Sequence, residues 1–215
     1  MKVVRSQRAG TCPPSPSRAT RFTVADPRDK VGPIMALRKI VRFPNPFLRQ
    51  PTQLVKTVDK AIRTLVEDMM ETMCDVDGAG LAAIQVGALE RIFIIDAAAA
   101  GGERTDPPQV YINPRFEQLS PDTDIQEEGC LSFPGIYVPV KRSLSARLHY
   151  LDLDGKEQVV DAENFFARAL QHEFDHLENR LLFDHAGAIK KQLIKRKLDR
   201  MTDEEAMEIL RHSGE

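Results

Sequence analysis

The heptapeptide Gln171-His172-Glu173-Phe174-Asp175-His176-Leu177 constrains the fold more than any other stretch of the chain. A helix brings residues four apart onto one face, one turn from each other. On such a helix His172 and His176 can offer two imidazole nitrogens to one divalent cation. Glu173 then stands beside the first of them, close enough to exchange protons with a water at that cation. The plainer alternative is a solvated helix that happens to carry two histidines. Asp175 points off the histidine face, with two roles open to it: orienting a ligand histidine, or facing solvent.

Two helical histidines leave a catalytic zinc-like site one protein ligand short, with a further position kept for water. His185 and His212 lack the downstream context of a protease-type third ligand. The segment Glu128-Gly129-Cys130-Leu131-Ser132 supplies a better candidate. A thiolate at Cys130 is a strong ligand, and the glycine before it lets the backbone approach a metal closely. Cys12 and Cys74, outside any such cluster, read as small apolar residues. Glu128 pairs more readily with a cation than with the metal.

A third cluster, Gly78-Ala79-Gly80-Leu81-Ala82-Ala83-Ile84-Gln85, is a small-residue loop ending in a side-chain amide. Together the three segments resemble the defining motifs of the peptide deformylase family, in the right order, and the resemblance runs from about Met35 to about Arg200. It implies a metal-dependent hydrolase that removes the N-formyl group from the formyl-methionine of nascent polypeptides and releases formate. Cys130, His172 and His176 would hold one divalent metal, Fe2+ in the cell, with Zn2+ or Ni2+ able to substitute. Glu173 would act as general base and then general acid. The resemblance gives the oxyanion to the side-chain amide of Gln85 and the backbone N–H of Leu131. It also lays the substrate as an added strand between Ala79–Gly80 and Gly129, where missing side chains leave room for its backbone. Arg142 occupies the position of the cation that partners Glu128. Tyr137 departs from the pattern, since well-known members carry arginine there, and substrate contacts beyond the first residue are left open.

Helix phase adds to the pocket. Counting back from His172, residues 169, 168 and 165 share its face, so Ala169 and Phe165 point to the metal side and can line the pocket for the first substrate side chain. Arg168 lies at the edge of that face. Its stem can line the pocket while the guanidinium reaches solvent, or it can pair structurally.

The remaining pattern suits a 215-residue chain with one sizeable core. Apolar residues at Val58, Ile62, Leu65, Val66, Met69 and Met73 predict a helix over about 55–74. Continuous apolar runs at 92–96 and 110–113 predict buried strands. Alternation over 144–153, with a turn at Asp154-Gly155, predicts a hairpin with a partner around 157–160. A helix over 161–178 and a last helical stretch over 190–210 follow, with Thr202 and Glu205 spaced as a capping box. The expected class is α+β: one domain of mixed or antiparallel sheets around a central metal-binding helix, with a C-terminal helix.

The first 34 residues differ from the rest, with seven Lys/Arg against two acids, five prolines and little apolar periodicity, and are expected to be disordered. The catalytic domain is expected at 35–215, and Met35-Ala36-Leu37-Arg38 is where a bacterial deformylase would begin. Residues 1–34 then read as an extension upstream of the natural start. A transit peptide to an organelle is the alternative, though Asp26, Asp29 and the prolines fit it poorly. Otherwise a bacterial cytoplasm is expected, and three cysteines with no obvious pairing scheme suit a reducing compartment. No apolar run approaches the roughly 20 residues that span a bilayer. A net charge of −2 argues neither for nor against a nucleic-acid partner, and no DNA partner is expected. Ribosome docking is one reading of Lys190, Lys191, Lys195, Arg196, Lys197 and Arg200, a cationic run at the end of an otherwise acidic core. An ordinary solvated helix face is the other.

Two rival functions remain at this level. A metallopeptidase sharing His-Glu-x-x-His by convergence would leave residues 128–132 unexplained. A degenerate, ribosome-binding relative would be expected to have lost a ligand, Glu173 or Gln85, and all are present.

Overall fold

The computed structural model describes residues 2–3, 37–103 and 105–212. Helix α1, Lys60–Asp75, forms where the apolar spacing places it. Its start is fixed by Asp59, whose Oδ1 accepts the N–H of Ile62 at 3.0 Å, so it begins five residues later than the apolar pattern alone suggests. It ends where Asp77 takes a positive φ of 50° and the N–H of Gly78 closes on the carbonyl of Met73 at 3.0 Å. Cys74, in its last turn, is half-buried and disulfide-bonded, a departure from the apolar role read from sequence. Cys12 lies outside the described residues.

Five strands form an antiparallel sheet in the order β2-β3-β4-β7-β8: Gly80–Ala82, Ile92–Ile95, Gln109–Leu119, Ser145–Leu151 and Glu157–Glu163. The continuous apolar run of β3 is explained by burial on both faces. Ile92 and Ile94 pack with Ile62, Val66 and Met69 of α1, while Phe93 and Ile95 join the core around the second helix. That helix, α2, spans Asn164–Leu177 and carries the histidines. Ala167, Leu170 and Leu177 pack against Phe93, Tyr111 and Leu148, and residues on nearly every side of α2 are buried. Its exposed residues, Asn164 and Phe165, are in the first turn.

A second sheet closes the other side, with β5 (Thr123–Gly129) antiparallel to β6 (Tyr137–Ser143). Neither strand is evident from apolar alternation. On the outer edge of β5, the two-residue strand β1, Lys2–Val3, pairs in parallel with Glu127 and Glu128. The rest of the stretch expected to be disordered, residues 4–34, lies outside the described residues, as do Met35 and Ala36.

The single C-terminal helical stretch is two helices, α3 (Ala188–Leu198) and α4 (Asp203–His212). The capping box decides the break. Thr202 Oγ1 accepts the N–H of Glu205 at 3.2 Å, and Glu205 Oε2 accepts the N–H of Thr202 at 2.8 Å. Ile194 and Leu198 bury against Phe133 and Val138, and Leu210 reaches Ile40 and Val76. Among the described residues, no helix is long and apolar enough to cross a membrane.

Candidate active site

α2 brings His172 and His176 onto one face, and the turn after β5 brings Cys130 to meet them. The ligand atoms of the three lie within 4.8 Å of one another, and Cys130 Sγ is 3.3 Å from His176 Nε2. His172 has its Nδ1 2.9 Å from Glu128 Oε2. That contact sets the tautomer, with the proton on Nδ1 and the Nε2 lone pair left for a metal. One thiolate and two imidazoles, with a carboxylate behind one of them, fit a divalent transition metal. The plain solvated-helix alternative fails, because Glu173, Asp175 and His176 are all buried.

Glu128 is 1% exposed and is not in the ligand cluster. Its Oε1 accepts from Arg142 Nε at 3.0 Å and Arg168 Nη1 at 2.7 Å, and its Oε2 accepts from Arg142 Nη2 at 2.9 Å and from His172. Burial alone would raise its pKa, yet the bonds from His172 and Arg142 outweigh that and hold it well below the usual carboxylate range. The pairing of Glu128 with Arg142 is as the resemblance implied.

Asp175 takes neither of the roles left open for it. It is buried, accepts from Arg142 Nη1 at 2.6 Å, and lies 3.1 Å from Arg180 Nε and 3.0 Å from His185 Nε2. Against the upward push of burial, these partners bring it down to about 2. Arg168 pairs structurally, with its guanidinium turned inward rather than to solvent.

Glu173 lies beside the cluster with its Oε2 buried and without a hydrogen-bond partner among the described residues. Burial raises its carboxyl to about 7. Its neighbour explains Gly80. A Cβ there would stand 2.6 Å from Glu173 Oε1, so the glycine makes room for this carboxylate. That differs from the role read for Gly80 from sequence, which was room for a substrate backbone.

The expected glycine loop is a short strand, β2, running into a 3-10 turn at Ala83–Val86. The turn presents Gln85, which is buried. Its Oε1 accepts the N–H of Ala82 at 2.8 Å, which fixes the amide so that Nε2 faces Cys130 Sγ at 3.5 Å and Ser132 Oγ at 3.2 Å. The backbone N–H of Leu131 has no acceptor among the described residues. Gln85 Nε2 therefore stands beside the ligand cluster, and Leu131, next to Cys130 in the chain, lines the same cleft. Ser132 was given no role from sequence. Its hydroxyl, which also donates to the carbonyl of Val41 at 2.8 Å, steadies Gln85.

A cleft opens over these groups, lined by Gly78, Ala79, Gly80, Gly129, Leu131 and Tyr137 on one side and by Phe165, Arg168 and Ala169 of α2 on the other. Every site residue expected from sequence lines this cleft or belongs to the ligand cluster. Val76, Ile136 and Leu210 also line it and carried no sequence signal.

The sequence profile of the polypeptide deformylase family matches residues 37–192. The chain belongs to the polypeptide deformylase family. Membership makes it an enzyme, a metal-dependent hydrolase. It is 45% identical over 175 residues to the peptide deformylase of Saccharophagus degradans, covering 81% of this chain and 99% of that protein. With the peptide deformylase of Agrobacterium fabrum it shares 42% over 163 residues, covering 76% and 95%. The crystal structure of the Ehrlichia chaffeensis peptide deformylase in complex with actinonin superposes with a TM-score of 0.72 at 35% identity, covering 78% of this chain and all of that one. The deformylase family match ends within α3, so α4 lies beyond it.

Proposed function

We propose that the reaction of this family, removal of the formyl group from the first methionine of a nascent polypeptide with release of formate, runs in this chain on Glu173, Gln85 and Leu131 beside a metal held by Cys130, His172 and His176. The observation that carries this assignment is the buried carboxylate of Glu173, its Oε2 without a partner among the described residues, lining the cleft beside the first ligand histidine. When bound, a divalent cation supplies a Lewis acid that makes water nucleophilic near neutral pH. Glu173 takes the proton of the attacking water and passes it to the leaving amine nitrogen. Gln85 Nε2 and the Leu131 N–H donate to the oxygen that gains charge as the formyl carbon becomes tetrahedral. A donor of this kind contributes about 3 kcal/mol in the transition state. Gly129 and Ala79 flank the slot for the peptide backbone, and Phe165 and Ala169 receive the first side chain.

Formate release from formyl-Met-Ala-Ser, compared with cleavage of the same peptide unformylated, tests the reading. Cleavage of the unformylated peptide without formate production would instead assign an ordinary peptidase.

Ferrous iron is the proposed metal in the cell, with zinc or nickel in protein purified in air. Elemental analysis of protein isolated with and without oxygen distinguishes them. The proposed location is the bacterial cytoplasm, and cell fractionation tests it. Residues 35–215 are the proposed catalytic domain, so a chain shortened to begin at Met35 should turn over like the full one. A markedly lower melting temperature in the shortened chain would give residues 1–34 a structural part.

Docking on ribosomal RNA is the proposed use of the cations on α3. Lys195 and Arg196 are exposed there, as is Arg200 just beyond its end, whereas Lys197 donates to the carbonyl of Gly135 and Lys191 lies over the Phe183 ring. Because α3 and α4 bury core residues, charge removal is a cleaner test than deletion. The triple variant Lys195→Gln, Arg196→Gln, Arg200→Gln should lose salt-sensitive co-sedimentation with ribosomes. Unchanged sedimentation at low salt would leave the helix a structural role.

A further inference from the structure

The wall of the first-residue pocket contains one side chain that a purely apolar pocket would not need. Arg168 is 2% exposed and lines the cleft next to Phe165, Ala169 and Gly129. Its terminal nitrogens are fully committed. Nη1 donates to Glu128 Oε1 at 2.7 Å and to the Val140 carbonyl at 2.9 Å. Nη2 donates to the carbonyl and to the Oδ1 of Asp124. These bonds clamp α2 to β5 and β6 and fix the plane of the guanidinium. The fifth donor, Nε–H, makes no hydrogen bond among the described residues, and it is not among the sealed polar atoms that lack a partner. Arg168 keeps a small residual exposure and is one of the residues that line the cleft. One N–H of a cleft-lining residue is therefore left without a partner among the described residues.

We infer that Arg168 is a specificity-determining residue: its Nε–H reads an acceptor atom near the tip of the first substrate side chain, favouring the thioether of methionine over the methylene of norleucine. This rests on the deformylase reading of the cleft. The two side chains have nearly the same shape, and norleucine is the more readily buried, so an apolar wall favours norleucine. A fixed donor reverses that order, because sulfur is a weak acceptor and a methylene is none. A site built with a hydrogen-bonding group disfavours the analogue that leaves the group unpaired.

The test is kcat/KM for formate release from formyl-Met-Ala-Ser and formyl-norleucyl-Ala-Ser, in the wild-type holoenzyme and in Arg168→Lys. Lysine keeps the positive charge for Glu128 and Asp124 but places a methylene where Nε–H stood. The wild type should prefer methionine by about three- to tenfold, the range of one modest hydrogen bond, and the lysine variant should bring the ratio to unity or below. The ratio is taken within one preparation, so a loss of folded fraction or of overall rate cancels. If the lysine variant does not fold, Arg168→Met, which also lacks an N–H, takes its place. A wild-type ratio at or below one overturns the inference, and so does a preference that survives substitution. No formate from either peptide would instead overturn the deformylase reading.

Discussion

Gly80 and Glu173 compete for one volume: a methyl group on the glycine would stand 2.6 Å from Oε1 of the carboxylate and 2.9 Å from its Cγ. The glycine of β2 thus sets how closely α2 can bring its acid to the sheet. Gly80→Ala should push Glu173 off its position while leaving the ligands on α2 and Cys130 untouched. A displacement of about 1 Å in a catalytic group can cost about 100-fold in rate. The variant is expected to bind metal normally, by elemental analysis, with kcat reduced by about that factor. A rate within about twofold of wild type would show that the carboxylate can move without consequence.

Replacing the acid itself separates proton transfer from metal binding. Glu173→Gln keeps the shape and removes the basic oxygen. Turnover should fall by about 100-fold or more, the usual contribution of a positioned acid or base, with metal content unchanged. Near-normal formate release from a fully loaded variant would take Glu173 out of the mechanism.

The metal face was legible because helical geometry turns a four-residue spacing into a shared face. The placement of Gln85 beside the cluster, and of Phe165 and Ala169 in the cleft wall, followed from motif and helix phase. The strand that carries Glu128 was not legible. β5 does alternate, but its inward positions are Asp124, Gln126 and Glu128, and its outward positions Thr123, Ile125 and Glu127 are exposed. An alternation search looks for apolar residues facing in, and here the buried side is held by Arg142 and Arg168 instead. Arg142 comes from the paired strand β6 and Arg168 from α2, both beyond the few residues that an alternation window spans. For the same reason Asp124 gave no signal as a partner of Arg168. The break between α3 and α4 could be read from Thr202 and Glu205, whereas Gly80 could be flagged as special but not why.

Of the cluster Cys130, His172 and His176, Cys130 is the member that α2 does not supply, and it would bind as a thiolate. Cys130→Ala should lose metal affinity together with activity, in contrast to the Glu173 variant. Elemental analysis after dialysis against a chelator should show strongly reduced occupancy relative to wild type treated alongside. Full occupancy in the alanine variant would mean that Cys130 is not a ligand.

The last prediction concerns Glu128, where the fold and the site share one carboxylate. Its two oxygens receive four bonds from Arg142, Arg168 and His172, and it is effectively buried. Glu128→Gln preserves the volume but offers a single accepting oxygen, and its amide N–H groups would face N–H donors on the other side. Two buried guanidinium groups then lose part of their compensation, and breaking such a pair from one side costs about 3–5 kcal/mol. His172 also loses the acceptor that holds its Nδ1 proton, a change that typically lowers metal affinity about 10- to 100-fold. Urea denaturation of the metal-free protein isolates the first effect, and competition with a calibrated chelator isolates the second. Both should appear. Loss of stability with unchanged metal affinity would confine Glu128 to scaffolding, and would mean that the orientation of His172 is set by the packing of α2 alone.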